Sequence, residues 1–229
     1  MPVSPMTNQV RDDFDRIARL TGCDDGWNHN NHYHDLLLRH LPPRLESALD
    51  VGCGTGQFAR LLSPRADRVL ALDLSPEMLR VARTCSPGFP NITYQEGDVM
   101  TLDLPAARFD CIASIATLHH LPYEAALLRL REALKPGGTL VILDLYQNEG
   151  MRGLMRDGIA VPVHLAQRWL HRAEIAEQTP EQREAWRLHG DTDHYLPLSV
   201  MRPIAERVLP GAQIRPLLMW RYMLVWRSA

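Results

Sequence analysis

A glycine-rich loop is the part of the sequence whose residue types point most directly to ligand chemistry. Residues 48–57 read ALDVGCGTGQ, an apolar run that contains an acidic residue and leads into alternating glycines. Glycines in such a turn let a ligand lie against main-chain N–H groups at the start of the next helix. The dinucleotide fingerprint G-x-G-x-x-G requires glycine where Gln57 stands. The loop therefore predicts a ligand held by backbone groups, without the signature for a pyrophosphate.

Carboxylates and histidines follow the later apolar runs. Asp73 follows the apolar run 68–72, Asp98 follows the run 92–95, and Asp144 lies at the end of the run 138–145. His119 and His120 come after the apolar run 109–115. In an open α/β sheet, ligands bind at the edge where the carboxyl ends of the strands meet. These side chains are therefore candidates for a binding site at that edge.

A repeating pattern of strands and helices would bring these residues together. The predicted strands are Ser47–Val51, Arg68–Leu72, Ile92–Gln95, Phe109–Ile115 and Gly138–Leu145. The predicted helices between them are Gln57–Leu62, Pro76–Thr84 and Tyr123–Leu134, and Lys135–Gly138 is predicted as a turn. Strands and helices that alternate with short connections are typical of right-handed βαβ units, which build a parallel sheet.

The two ends of the chain depart from this alternation. Helices are predicted at Phe14–Leu20 and at about 31–41, so residues 1–45 are expected to form an N-terminal helical cap segment. Residues 148–192 have a helical pattern and no strand, and a further amphipathic helix is predicted at Leu198–Leu209. The predicted strands Gln213–Leu218 and Arg221–Trp226 would form an antiparallel hairpin at one side of the sheet.

Composition restricts the class of protein. A chain of 229 residues that is 45% hydrophobic can bury one core with a modest appendage. A net charge of -2 gives no basic face for nucleic acid or a membrane surface. The sequence shows no signal peptide pattern and no apolar stretch long enough to insert into a membrane. The cysteines, Cys23, Cys53, Cys85 and Cys111, are isolated thiols by spacing, which favours a reducing compartment and a cytoplasmic location.

The order of the motifs resembles that of the class I S-adenosylmethionine-dependent methyltransferases. Their first motif has the acidic-x-Gly-x-Gly-x-Gly form found from Asp50 to Gly56. Four further matches follow in order, at Leu70–Leu79, Gly97–Val99, Phe109–Ile115 and Leu134–Leu140. The resemblance implies a Rossmann-like α/β fold, with a mostly parallel seven-stranded sheet, a C-terminal antiparallel hairpin and helices on both faces. It is closest to the small-molecule and quinone-biosynthesis members.

The resemblance also implies a cofactor site for S-adenosylmethionine, with S-adenosylhomocysteine as the product. Asp73 is expected to accept hydrogen bonds from both ribose hydroxyls, and Asp98 to take the adenine amino group between neighbouring apolar side chains. The full set of predicted cofactor-binding residues is Asp50, Gly52, Cys53, Gly54, Gly56, Asp73, Leu74, Met78, Asp98, Val99 and Ser114. The methyltransferase domain is expected to span 46–229, with a helical lid insertion at about 148–192.

Methyl transfer of this kind depends mainly on orientation, and a general base matters when the acceptor is a hydroxyl, a protonated amine or a carbon acid. His119 is the candidate catalytic residue, with His34 or Asp144 as second choices. A structural or cofactor-flanking role is the alternative for His119.

The histidine-rich run Trp27–His34 is a second place where metal chemistry has to be considered. His29 and His32 stand three positions apart, which is compatible with shared ligation on a helix. Acidic or thiolate ligands do not complete a set nearby, so we predict no metal. Trp27 and Tyr33 are instead expected to face the cationic sulfonium of the cofactor.

The expected acceptor is a small molecule. Binding to nucleic acid and insertion into a membrane are not expected, and the oligomeric state is left open. A large charged docking face would favour a protein side chain as acceptor, and this composition does not indicate one. Two other classes remain as alternatives: a cofactor-binding regulatory protein without turnover, and a nicotinamide-dependent oxidoreductase, which Gln57 disfavours.

Overall fold

The computed structural model describes residues 5–23, 26–173, 178–191 and 193–229, with the backbone alone at 5, 6, 150–157 and 159. The helices are α1 Pro5–Leu20, α2 His34–Leu38, α3 Gln57–Leu62, α4 Pro76–Thr84, α5 Tyr123–Ala133, α6 Gly150–Leu170, α7 Pro180–Gly190 and α8 Leu198–Val208. The strands are β1 Leu45–Val51, β2 Ala66–Asp73, β3 Ile92–Glu96, β4 Phe109–Ile115, β5 Leu134–Leu145, β6 Gln213–Pro216 and β7 Arg221–Arg227.

The strands form a single seven-stranded sheet in the order β3-β2-β1-β4-β5-β7-β6. β1 to β5 run parallel, and β7 is antiparallel to both of its neighbours, β5 and β6. The predicted mostly parallel seven-stranded sheet with a terminal hairpin is therefore confirmed. The strand order reverses between β1 and β4, and such a reversal opens a crevice at the carboxyl ends of the two strands.

Helices cover both faces of the sheet because the central strands are apolar on both faces. Successive residues of a strand point to opposite faces. Accordingly, Leu49 packs in a core with α5 and α8, whereas its neighbour Ala48 packs in a second core with α2 and α3. Strands that are buried on both faces have continuous apolar sequences. For this reason the sequence alone predicts the alternation of strands and helices.

The start of β5 differs from the prediction. Leu134 already pairs with Phe109, and the register then shifts before Cys111 pairs with Thr139. The predicted turn at 135–138 is thus an irregularity inside β5, where Gly137 has a φ of +74°. The helix before it ends at Ala133 because Leu134 takes an extended conformation.

α1 and α7 form a small layer beside α4. Ile17 and Ala18 of α1 pack with Met78 and Val81 of α4 and with Ala185 of α7. A helix of the predicted 1–45 segment therefore contacts one of the 148–192 segment. In the part of the chain that the structure describes, no helix combines the length and the apolarity that crossing a bilayer requires.

Cys23 and Cys85 form a disulfide, so the expectation of isolated thiols is wrong for this pair. The packing of α1 on α4 brings the loop after α1 beside the end of α4, and the two Cα atoms lie 5.2 Å apart. The pair is 62 positions apart in sequence, and a separation of this size carries no pairing signal. Cys53 and Cys111 are buried free thiols.

Candidate cofactor and acceptor site

The glycine-rich loop connects β1 to α3 at the carboxyl edge of the sheet. Its glycines, Gly52, Gly54 and Gly56, have φ angles of +69°, +52° and +77°. Side chains are strained in this left-handed region. Space also excludes one at two positions, since a Cβ would lie 2.1 Å from Thr117 Oγ1 at Gly52 and 2.4 Å from the Tyr94 hydroxyl oxygen at Gly56. The loop therefore needs glycine for its backbone shape and for its contact with Thr117, which leads into the His119 segment.

Asp73 is bonded to this loop from the end of β2. Its Oδ2 accepts a hydrogen bond from the Gly54 N–H at 2.7 Å, and its Oδ1 accepts one from the Ser75 N–H at 2.9 Å. Burial raises the pKa of Asp73, an effect that these backbone donors oppose. The two bonds fix the orientation of the carboxylate, and each oxygen retains a further lone pair for a ligand.

Asp50 is a second buried carboxyl group beside the loop. Only 1% of it is exposed, and its Oδ2 has no hydrogen-bond partner among the described residues. Burial, together with the nearby Asp73 carboxylate, raises the pKa of Asp50 to about 7. A buried acceptor without a partner is costly unless a ligand provides a donor. Asp50 is therefore suited to a bound cation or N–H group.

The other predicted cofactor residues differ in burial and in the bonds that they make within the protein. Asp98 caps its own turn, since its Oδ1 accepts from the Met100 N–H at 2.8 Å. Ser114 is buried at the crevice, where its hydroxyl donates to the Val51 carbonyl at 3.1 Å. Met78 packs in the core beneath α1. Cys53 and Val99 are buried, and Leu74 is half-buried.

His119 lies on a short 3-10 helix, Leu118–His120, that follows β4. Its Nδ1 is 2.6 Å from Oδ1 of Asp144, and its backbone N–H donates to Asp144 Oδ2 at 3.0 Å. Burial acts to lower the pKa of His119, but the adjoining Asp144 carboxylate outweighs it and the pKa is raised. Because Asp144 holds both the ring and the backbone of residue 119, the ring presents Nε2 away from the end of β5.

Beyond Nε2 lies a group of residues that sequence reasoning missed. Asp193, in the segment after α7, is 3.8 Å from His119 Nε2, 3.6 Å from His120 Nδ1 and 3.6 Å from His189 Nε2. Tyr195 donates its hydroxyl to Asp193 Oδ2 at 2.7 Å. The doubled histidine at 119–120 was the one signal in the sequence, since Asp193 and His189 join it only through the packing of α7.

The histidine-rich run lies in a different environment. His34, a second choice as base, packs against Phe58, and burial lowers its pKa to about 4. The partner of His29 is His164 of α6, with 2.8 Å between the ring nitrogens, rather than His32.

The aromatic residues of this run contact other segments. Trp27 stacks on His171, which follows α6, at 5.0 Å between ring centroids. The Tyr33 hydroxyl donates to the Leu218 carbonyl at 3.1 Å. The run therefore joins the N-terminal segment to α6 and to the loop before β7.

A cavity of about 270 Å³ opens beside His119 and Asp144. Its walls are mostly apolar, with two tyrosines and a second histidine, and consist of Leu118, His119, Leu121, Pro122, Tyr123, Asp144, Leu145, His194, Leu196, Met201 and Tyr222. A concave apolar site with few polar groups is typical of small-molecule binding. Among the described residues that line it, none comes from the N-terminal segment or α6.

Comparison with known proteins agrees with this architecture. The family described as "Methyltransferase domain" matches residues 49–142. An uncharacterised methyltransferase of Mycobacterium tuberculosis is 35% identical over 210 residues, which cover 90% of this chain and 98% of that protein. The demethylmenaquinone methyltransferase of Thermus thermophilus is 32% identical over 145 residues, covering 61% of this chain and 64% of the relative.

A solved structure shares the fold. The N-methyltransferase NodS of Bradyrhizobium japonicum, in complex with S-adenosylhomocysteine, has a TM-score of 0.62 over 96% of this chain and 98% of its own, at 18% identity. The sheet order and the glycine-rich loop define a Rossmann-like α/β enzyme. The chain belongs to the class I S-adenosylmethionine-dependent methyltransferases, and S-adenosylmethionine is its cofactor.

Proposed function

We propose that this enzyme transfers a methyl group to a small-molecule acceptor bound in the cavity beside His119. The observation that carries the proposal is the Asp144–His119 pair, whose segment touches the glycine-rich loop through Thr117 and Gly52. The pair thus lies between the loop and the cavity. Proximity and orientation of donor and acceptor in such a cleft can contribute about 7–11 kcal/mol to the barrier reduction.

The cofactor supplies an activated methyl carbon next to a sulfonium. Asp73, held by Gly54 and Ser75, accepts the ribose hydroxyls, and Asp98 faces the adenine. Asp50, whose buried Oδ2 has no hydrogen-bond partner within the described ranges of the chain, accepts from the cationic amino group of the methionine portion. The remaining residues proposed to line the cofactor are Gly52, Cys53, Gly56, Leu74, Met78, Val99 and Ser114.

His119 is proposed to remove the proton of the acceptor. Asp144 fixes Nδ1, so Nε2 is the nitrogen available for this proton. A positioned base of this kind typically contributes about 10²–10⁴-fold to the rate. The mostly apolar cavity fits an acceptor with an apolar body and one polar group, and a relative that acts on demethylmenaquinone supports that chemistry.

The N-terminal segment and residues 148–192 are proposed to act together as the lid. Two contacts support this, the His29–His164 pair and the stacking of Trp27 on His171. Closure over the cleft would exclude water from the transferring methyl group. The Cys23–Cys85 disulfide removes the isolated-thiol argument for the expected cytoplasmic location.

Binding of S-adenosylhomocysteine tests the cofactor site. Calorimetry should give a one-to-one complex, and Asp73→Asn should weaken it roughly 10- to 150-fold, since hydrogen bonds to a charged group contribute about 1.5–3 kcal/mol. Asp67→Asn is the matched control, because its carboxylate is 58% exposed at the start of β2. The proposed site would be contradicted if the wild type did not bind S-adenosylhomocysteine, or if Asp73→Asn bound it with the affinity of the wild type.

A further inference from the structure

Buried imidazoles surround the carboxylate of Asp193 next to the proposed acceptor cavity. The side chains of His119, His120, His189 and Asp193 are 5%, 10%, 5% and 7% exposed. Their nitrogens lie 3.6–3.8 Å from the Asp193 oxygens. This is longer than a hydrogen bond of about 2.7–3.2 Å. The carboxylate is therefore surrounded by ring nitrogens that do not bond to it directly.

These separations agree with the spacing of ligands around one metal ion. Ligand atoms about 2.0–2.1 Å from a tetrahedral zinc ion stand about 3.4 Å from each other. One ligand atom each from His119, His120 and Asp193 can be chosen so that all lie within 4.8 Å of one another. Binding of one ion would require these separations to close to about 3.4 Å.

Neighbouring residues orient two of the three ligands. Asp144 holds Nδ1 of His119 and so turns Nε2 towards Asp193. Tyr195 donates to Asp193 Oδ2 and fixes that carboxylate. Metal-binding histidines almost always have their second nitrogen bonded to a carboxylate or carbonyl in this way. The third ligand, His120, lacks such a partner. Its Nδ1 faces Asp193, and within the described part of the chain its Nε2 has no hydrogen-bond partner.

We propose that His119, His120 and Asp193 bind a divalent transition-metal ion of the zinc class, and that this ion activates a hydroxyl acceptor. The inference rests on the proposed function, which places the acceptor beside His119. Two histidines and one carboxylate leave a coordination position open. The sequence predicts no metal, because no ligand set is complete around His29 and His32 and methyl transfer itself needs no metal ion. The sequence did not indicate the set proposed here, since Asp193 is distant from His119 along the chain.

The chemistry follows from the charge of the ion. An oxygen bound to a divalent cation loses its proton at a far lower pH than in water. The acceptor proton would leave to solvent, an oxygen lone pair would form the new C–O bond, and the C–S bond would break with its electron pair on sulfur. The products are the methyl ether and S-adenosylhomocysteine. In this arrangement Nε2 of His119 holds the ion instead of taking the proton.

Metal binding is measured directly. Metal-free protein is titrated with Co²⁺, followed by visible absorption, and with Zn²⁺, followed by calorimetry. We expect one site, and a loss of affinity well above about 10-fold in His120→Ala and Asp193→Asn, since outer-shell partners alone are worth about 10–100-fold. His40→Ala, a histidine before β1 at the opposite edge of the sheet, should bind as the wild type does. Absence of a site, or equal binding in the two ligand variants, overturns the proposal.

Two further measurements separate this inference from the proposed function. Binding of S-adenosylhomocysteine, measured on every variant, shows that the fold and cofactor site are intact. Failure of the wild type to bind would contradict the proposed function and not the metal site. Turnover of a hydroxyl acceptor, found in a panel, should be lost on chelation and return with Zn²⁺. If the chelated enzyme keeps its full turnover, the ion does not activate the acceptor and His119 acts as the base.

Discussion

Asp144 determines, at the scale of single residues, what His119 can do. Its carboxylate binds both Nδ1 and the backbone N–H of residue 119, so the ring has one orientation. In both proposed roles, as the base or as a ligand of an ion, the nitrogen left available by Asp144 is Nε2. The contribution of His119 should therefore appear in turnover and not in cofactor binding.

The first residue-scale prediction concerns His119→Ala. Turnover of the acceptor should fall by about 10²–10⁴-fold. Binding of S-adenosylhomocysteine should stay within a few-fold of the wild type, because the loop and Asp73 are untouched. Steady-state rates and calorimetry on the same sample check this. Equal turnover in variant and wild type would leave His119 with a structural role.

The second residue-scale prediction uses the raised pKa of Asp50. The ordinary pKa of this carboxyl group is 3.8, and burial, together with the Asp73 carboxylate, raises it to about 7 in the folded protein. Between those values the folded state keeps a proton that the unfolded state has lost, so stability falls as the pH rises. Asp50→Asn removes this loss, which between pH 5 and 8 is on the order of 2–3 kcal/mol.

The Asp50→Asn variant should thus gain thermal stability over the wild type mainly at pH 8 and bind S-adenosylhomocysteine more weakly. Thermal unfolding at pH 5 and 8 checks the first part, and calorimetry checks the second. Asp67→Asn, at an exposed site, should show neither effect. A stability gain of equal size at both pH values would argue against the ionisation of Asp50 as its cause.

At the scale of elements, α1 is fastened to α4 at both ends of α4. Near the start of α4, Asp15 accepts a hydrogen bond from the Ser75 hydroxyl at 2.5 Å, beside the backbone that holds Asp73. At the far end, the Cys23–Cys85 disulfide joins the loop after α1 to the helix. The position of the N-terminal helix is therefore linked to that of Asp73, the carboxylate proposed to bind the ribose.

The disulfide gives an element-scale prediction. A cross-link across 62 positions restricts the unfolded chain, and its removal should cost roughly 4 kcal/mol. Cys23→Ser should lower the unfolding temperature, and a reductant should lower that of the wild type by the same amount. Cys23→Ser/Cys85→Ser should match the single variant. An unfolding temperature unaffected by both substitution and reductant would exclude the cross-link from the folded protein.

Local signals explain which elements could be predicted. Leu49 and its neighbours form a continuous apolar run that ends in the glycine loop, so β1 and its ligand-binding turn are readable from adjacent residues. Asp193 and Cys85 obtain their partners through packing between distant helices, which no local pattern encodes. The start of β5 escaped prediction for a related reason, because Leu134 is extended only through its pairing with Phe109.

At the scale of the whole molecule, the sheet gathers the proposed cofactor and acceptor sites at one edge. β1 and β2 carry Asp50 and Asp73, which are proposed to bind the cofactor, whereas β4 and β5 lead to His119 and Asp144 beside the proposed acceptor cavity. The segment around Asp193 reaches the same edge from outside the sheet, because α7 packs on α1. Substrate preference can therefore change through this segment without altering the cofactor site.

The place of β7 in the sheet has a consequence for biosynthesis. β7 follows β6 in the chain but lies between β5 and β6 in the sheet. While a ribosome still holds residues 221–227, β5 exposes an unpaired edge and β6 has no strand to join. Open edges of this kind invite association with other chains. A nascent chain that has not yet released β7 would therefore expose the edge of β5 to pairing with other chains until β7 inserts between β5 and β6.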